Sequence, residues 1–237
     1  MSRNWTNATV PINSISKPTG VPSLNVPSLW YYDRDGVIYS GFAGTNSSFG
    51  NALLLPPKSI WSFKPNDSGV GDWNEVLNST AAVWSSIVRP FDGLQAQGSD
   101  RAWYLGGYAS PQAYELSSTP MYGMTEFDMA SHALTKGPSP GDSQNFTIVK
   151  GAMLYVPLFG PEGLLVVMGG YRESYGSRQL LDFGTVFIYD PAKQQWFNQE
   201  TTGTAPAPRE EFCSAGLKSI NATYEMWVPI ARPCTQF

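Results

Sequence analysis

The chain has 237 residues, of which 42% are hydrophobic and 14% charged, enough apolar material to fill a core. Its net charge of −4 and pI near 5.0, without a Lys/Arg cluster, exclude the electrostatic footprint that nucleic-acid binding requires. GAMLYVPLFGPEGLLVVMGG is broken by Pro157, Pro161 and Glu162, so no membrane span is expected within the chain.

In chain order, MSRNWTNATVPINS has no apolar stretch of the length a secretory signal needs. The first strand candidate is PSLWYYD, followed by the turn Asp33-Arg34-Asp35-Gly36 and VIYSGF (37–42). A polar gap leads to SIWSFKP (59–65) and to DWNEV around Trp73. The series then restarts: FDGLQAQ, a turn at Gly98-Ser99-Asp100, AWYLGGY (102–108), MTEFDMA (124–130) and a segment containing Leu134. It restarts again with GAMLYVPL, the turn Gly160-Pro161-Glu162-Gly163, LVVMGGY (165–171), TVFIYDP (185–191) and QQWFNQ around Trp196. EFCSAGL and the apolar stretch after it begin a fourth round.

The restarts are periodic. Gly41, Gly107 and Gly170 lie 66 and 63 residues apart, and Phe63, Phe127 and Tyr189 lie 64 and 62 apart. Trp73, Leu134 and Trp196 form a third marker, and Trp5 in NWTNATV stands 68 residues before Trp73. Each unit reads as four short strands, a to d, with a tight a-b turn, a b-c loop of about 15 residues and a shorter c-d turn; such units repeated along a chain specify a β-propeller. On this reading strand b lies toward the inside of the ring, and Gly41, Gly106, Gly107, Gly169 and Gly170 allow close backbone approach. The strand-c aromatics and the tryptophans fill the wedges between blades.

An apolar b strand ending in Gly-Gly-Tyr, a strand-c aromatic followed by Asp-Pro, and a Trp seven residues after that aromatic resemble kelch repeats, with TVFIYDPAKQQWFNQETTGTAPAPREEFCSAGL the best match. The chain is similar to the secreted or surface kelch-domain proteins of filamentous fungi, within the galactose oxidase/kelch superfamily fold. The first unit, with Ser40-Gly41, and the second, with Met129 in place of Pro, depart from the pattern. The resemblance implies an all-β, incomplete kelch-type propeller. It has a lone N-terminal d strand and linker (1–26), blades at about 27–80, 81–140 and 141–202, and a partial a-b hairpin at 203–237. Because kelch rings close with more blades than this, a partial ring is expected, either a truncated product or a half-ring that pairs with something.

No catalytic or metal residue is expected and no cofactor. Galactose-oxidase-like copper chemistry needs imidazole ligands, and His132 is the single histidine. Some plant kelch proteins bind iron through E-x-x-x-D-x-x-x-H; here Asp128 and His132 fit, but Met124 takes the place of Glu, so a solvent-exposed turn histidine is expected. G-x-S-x-G, G-x-G-x-x-G and C-x-x-C motifs are absent. Glycosylation acceptors occur at Asn4, Asn7, Asn46, Asn66, Asn78, Asn145 and Asn221, against roughly two expected by chance from composition, which favours an extracellular or cell-surface setting. Cys213 and Cys234 form a disulfide only if Pro229 to Pro233 turn the chain back.

Alternating strand direction puts the b-c loops and d-a connections on one face of the blades. That face collects Tyr108, Tyr114, Tyr171, Arg172, Tyr175, Arg178 and Arg209, residue types that anchor recognition. The expected function is a non-catalytic interaction module that binds a protein or glycan partner there. The alternative is a fragment of a kelch-superfamily enzyme whose catalytic groups lie outside this chain.

Overall fold

The computed structural model describes residues 16–24, 27–42, 58–67, 70–78, 80–87, 89–109, 119–141, 146–174 and 176–228. Trp5 and the expected N-terminal d strand lie outside them. The described chain is built of antiparallel strands and one short 3-10 turn, Ala82–Ser85. Among the described residues no helix is long and apolar enough to cross a membrane.

The first blade contains β1 (Leu29–Tyr32), β2 (Val37–Ser40), β3 (Ile60–Pro65) and β4 (Gly71–Leu77), paired in that order. The connection to the next blade contributes β5 (Pro90–Phe91), and the second blade opens with β6 (Leu94–Gln97) and β7 (Arg101–Leu105). Its b-c loop carries β8 (Tyr108–Ala109) and β9 (Thr119–Pro120), and β10 (Met124–Asp128) and β11 (Leu134–Gly137) complete it. After β12 (Thr147–Val149), the third blade opens with β13 (Ala152–Val156) and β14 (Leu164–Met168). Its b-c loop is the hairpin of β15 (Tyr171–Ser174) and β16 (Ser177–Leu180), and β17 (Thr185–Asp190) and β18 (Gln195–Glu200) close it. A last hairpin pairs β19 (Ala215–Lys218) with β20 (Tyr224–Trp227).

The registers carry the repeat seen in the sequence. Phe63 faces Trp73, Phe127 faces Leu134 and Tyr189 faces Trp196 across the c-d pair. The degenerate middle copy therefore keeps its geometry with leucine in place of tryptophan. The Phe63–Trp73 and Tyr189–Trp196 ring centroids are 4.9 and 5.0 Å apart, within the range of favourable aromatic pairs. Trp196 also donates its indole N–H to the Pro138 carbonyl at 3.0 Å, tying the outer strand of the third blade to the second. Burial pushes the Tyr189 hydroxyl up to about 12.

The core consists of wedges between blades. Trp30, Tyr32 and Tyr39 of the first blade pack with Ala102, Tyr104 and Phe127 of the second. Leu94, Trp103, Leu105 and Met124 of the second pack with Met153, Leu165, Val167 and Tyr189 of the third. The opposite face of the third blade, including Val156, Val166 and Met168, packs with Phe212, Tyr224 and Val228. This is why β14 reads as an unbroken apolar run: a strand in mid-sheet with a blade on each side has no polar face.

One expectation is corrected. Strand b is not the inner strand, because β2, β7 and β14 are each flanked by strand a and strand c of their own sheet. The inner position belongs to the a strands, and β1 with β6, β6 with β13, and β13 with β19 approach one another between blades. Glutamines bridge the first of these seams. Gln95 Oε1 accepts from the Leu29 N–H at 3.1 Å, Gln97 Oε1 accepts from the Tyr31 N–H at 2.6 Å, and Gln97 Nε2 donates to the Tyr31 carbonyl at 2.9 Å. A free strand edge in a crowded centre needs such partners for its backbone groups.

Candidate functional site: the b-c and d-a loop face

The b-c segments, expected as loops, are mostly hydrogen-bonded ribbon. In the second blade β8 pairs with β5 from the incoming connection and with β9; in the third, β15 pairs with β12 and with β16. Each small sheet therefore joins a b-c loop to a d-a connection, and both lie on the face where alternating strand direction places them.

The glycine pairs make the bend from blade to ribbon. Gly106 and Gly107 have φ of 65° and 88°, and Gly169 and Gly170 have 58° and 75°. A Cβ at Gly106 would stand 2.3 Å from the Ile148 carbonyl oxygen, at Gly107 2.3 Å from that of Phe91, and at Gly170 2.5 Å from that of Val149. The Gly107 N–H donates to the Ile148 carbonyl at 3.2 Å, and the Gly170 N–H to that of Arg209 at 2.8 Å. Glycine is required because two backbones meet there with left-handed φ.

A second repeated device was not read from the sequence. Asp92, Lys150 and Glu211, two residues before the inner strand in each unit, have φ of 56°, 56° and 55°. The Lys150 N–H donates to the Asp92 carbonyl at 3.0 Å, and the Glu211 N–H to that of Lys150 at 2.9 Å, so a backbone chain links successive blades. The available signal was Asp-Gly at 92–93 and Lys-Gly at 150–151, before apolar strands. The Lys150 ammonium pairs with the Glu211 carboxylate, which raises the pKa of Lys150. Burial raises the carboxyl of Asp92, with Lys150 opposing the shift.

The predicted contact residues fall on this frame. Tyr108 and Tyr171 share a hydroxyl hydrogen bond of 2.8 Å, and the Tyr108 hydroxyl also donates to Glu173. Burial, reinforced by Glu173, pushes the Tyr108 pKa up, so it stays a donor. The Arg178 guanidinium lies 3.7 Å above the Tyr171 ring centroid and pairs with Glu210. Arg172 lies 4.6 Å over Phe146, and Arg209 lies 5.8 Å over Phe183 with its Nε donating to the Ala207 carbonyl at 3.1 Å. Tyr171 is buried, so it supports Arg178 and Tyr108 from beneath; Arg172 and Arg178 are exposed. Tyr114 and Tyr175 lie outside the described residues.

On the opposite face the Glu126, Asp128 and His132 cluster is dispersed into structural tasks. Glu126 Oε2 accepts from Trp103 Nε1 at 2.9 Å. Asp128 Oδ1 accepts from the Ala130 and Ser131 N–H groups at 3.0 and 2.8 Å, which holds its carboxyl below the usual range. His132, expected to be a solvent-exposed turn residue, is half-buried. Its Nε2 is 3.0 Å from the Tyr39 hydroxyl and its ring is stacked 6.2 Å from Phe127, so it seals the first wedge. Among the described residues no group of three or more His, Cys, Asp or Glu is placed to hold a metal. A cavity of about 340 Å³ opens between the a-b turns of the second and third blades, walled by Trp103 and Tyr155 and crossed by the ion pair of Arg101 with Glu162 at 2.8 Å.

Cys213 is disulfide-bonded; Cys234 lies outside the described residues. Asn66, Asn78 and Asn221 lie on exposed turns, while Asn4, Asn7, Asn46 and Asn145 fall outside the described residues.

Four-stranded antiparallel blades stacked through aromatic wedges, each with a glycine-bounded b strand, define the kelch type of repeat, and the chain is a kelch-repeat protein. It is similar to a "Kelch repeat-containing protein" of Arthroderma benhamiae, with 23% identity over 238 residues, covering 86% of this chain and 34% of the fungal protein. The chain thus spans about a third of the length of that curated relative. No family model matches the chain.

Proposed function

We propose that the chain is a non-catalytic interaction module that binds a protein or glycan partner through its b-c and d-a loop face, in an extracellular or cell-surface setting. The observation that carries this reading is the pairing of both loop families into one hydrogen-bonded platform, from which Arg172 and Arg178 project. Arg178 is set on an aromatic ring and Arg172 on another, so less side-chain freedom is lost on contact than from an unsupported arginine. The exposed acceptor asparagines and the disulfide at Cys213 favour an oxidising, glycosylating environment.

Screening the purified chain on glycan and protein arrays tests the proposal. Signals are expected to fall at least about tenfold in Arg172→Ala/Arg178→Ala, a loss of about 1.4 kcal/mol or more, and to persist in Arg101→Ala on the opposite face. Binding that follows Arg101, or no specific signal on either array, would contradict it.

A further inference from the structure

Equivalent positions in the blades differ sharply in their surroundings. Four residues after the left-handed residues Asp92, Lys150 and Glu211 stand Ala96, Leu154 and Ala215, and their partners across the a-b pair are Trp103, Val166 and Trp227. Trp103 is 2% exposed and Val166 6%, each covered by the blade that follows; Trp227 is 61% exposed. Two residues beyond those Leu154 and Ala215 positions, Val156 is 3% exposed and Leu217 63%. The far face of the β19–β20 hairpin therefore displays wedge residues that earlier blades bury under a successor.

The other end of the arc displays the reciprocal face. Phe127 and Tyr189 are buried against the preceding blade, whereas their counterpart Phe63 is only partly covered. Tyr31, on the same side of the first blade, is 46% exposed. No core cluster joins the first blade to the terminal hairpin.

We propose that these two faces bind each other between two copies of the chain, head to tail, so that Trp227 and Leu217 of one copy enter the wedge offered by Tyr31 and Phe63 of the other. The occupant is specified by the blade-to-blade interface already formed three times within the chain. What covers a Trp103-type face is a Phe127-type face, and the chain carries one free example of each. A two-fold arrangement uses both interfaces at once and leaves neither face exposed. Two copies together supply six four-stranded blades and two hairpins, within the range of roughly 4–8 blades found in closed propellers. The surface used is separate from the loop face, so dimer formation and partner binding can fail independently.

Light scattering coupled to gel filtration, on full-length unglycosylated chain from micromolar to submillimolar concentration, is expected to give twice the 25.9 kDa chain mass. Trp227→Glu and Tyr31→Arg are each expected to give monomers with an unchanged β-type circular dichroism spectrum. An equimolar mixture of the two variants restores a dimer, because the intact face of each meets the intact face of the other. A monomeric wild type, an open-ended ladder of masses, or a mixture that stays monomeric would overturn the proposal.

Discussion

Replacing Gly107 by alanine is expected to destabilise the chain by about 3–5 kcal/mol, whereas Gly176→Ala is expected to cost only about 1–2 kcal/mol. Both glycines have positive φ, 88° and 78°, so both substitutions carry the strain of a left-handed alanine. They differ in what the new methyl group meets. At Gly176 there is open space within 4 Å, while at Gly107 the Cβ would lie 2.3 Å from the Phe91 carbonyl oxygen and 2.8 Å from the Gly93 nitrogen. Backbone cannot yield as a flexible side chain can. Relief requires β5 and β8 to separate, which undoes the joint between the d-a connection and the b-c ribbon. Urea denaturation of the two variants checks the difference; equal midpoints would show that close approach at the glycine pair contributes nothing beyond φ.

The second large effect is expected in the first wedge. Phe127→Ala should cost about 3–5 kcal/mol, as truncation of a fully buried aromatic does. The Phe127 ring is stacked 5.9 Å from Trp30, meets Tyr39 edge-on at 5.3 Å and is covered by His132, so the neighbours on several sides are held by other contacts and cannot collapse into the space. Phe63→Ala, at the same repeat position in the first blade, should cost less than half as much in the isolated chain, because its ring is only partly covered. Denaturant midpoints with unchanged slopes measure both. A Phe63 effect as large as that of Phe127 would mean that the free end of the arc is as well packed as its middle.

Much of this organisation was legible in the residues. The period of Gly41, Gly107 and Gly170, together with that of Phe63, Phe127 and Tyr189, located all three four-stranded sheets. Leu134 was found by spacing alone. The inner strand was misassigned because glycine spacing reports close backbone approach without saying which backbone approaches. At Gly106 and Gly170 the neighbours are the d-a connection and the start of strand a, at the end of the blade, and not the propeller axis. Ribbon pairing in the b-c segments was hidden by strands as short as Tyr108–Ala109, too brief for period-two alternation to register. The face bearing the candidate contact residues followed from strand direction. Burial of Tyr171 did not, since it depends on Arg178 folding over the ring and on Tyr108 arriving from another blade 63 residues earlier.

The account rests on the glycine pairs converting each central strand into a rigid support for the loop face. Amide hydrogen exchange of the native chain, read by mass spectrometry, tests this most directly. Peptides spanning 105–109 and 168–172, where Gly107 and Gly170 donate to Ile148 and Arg209, are predicted to exchange as slowly as the mid-sheet strands β7 and β14. Exchange of these peptides as fast as the exposed segment 201–208 would contradict it.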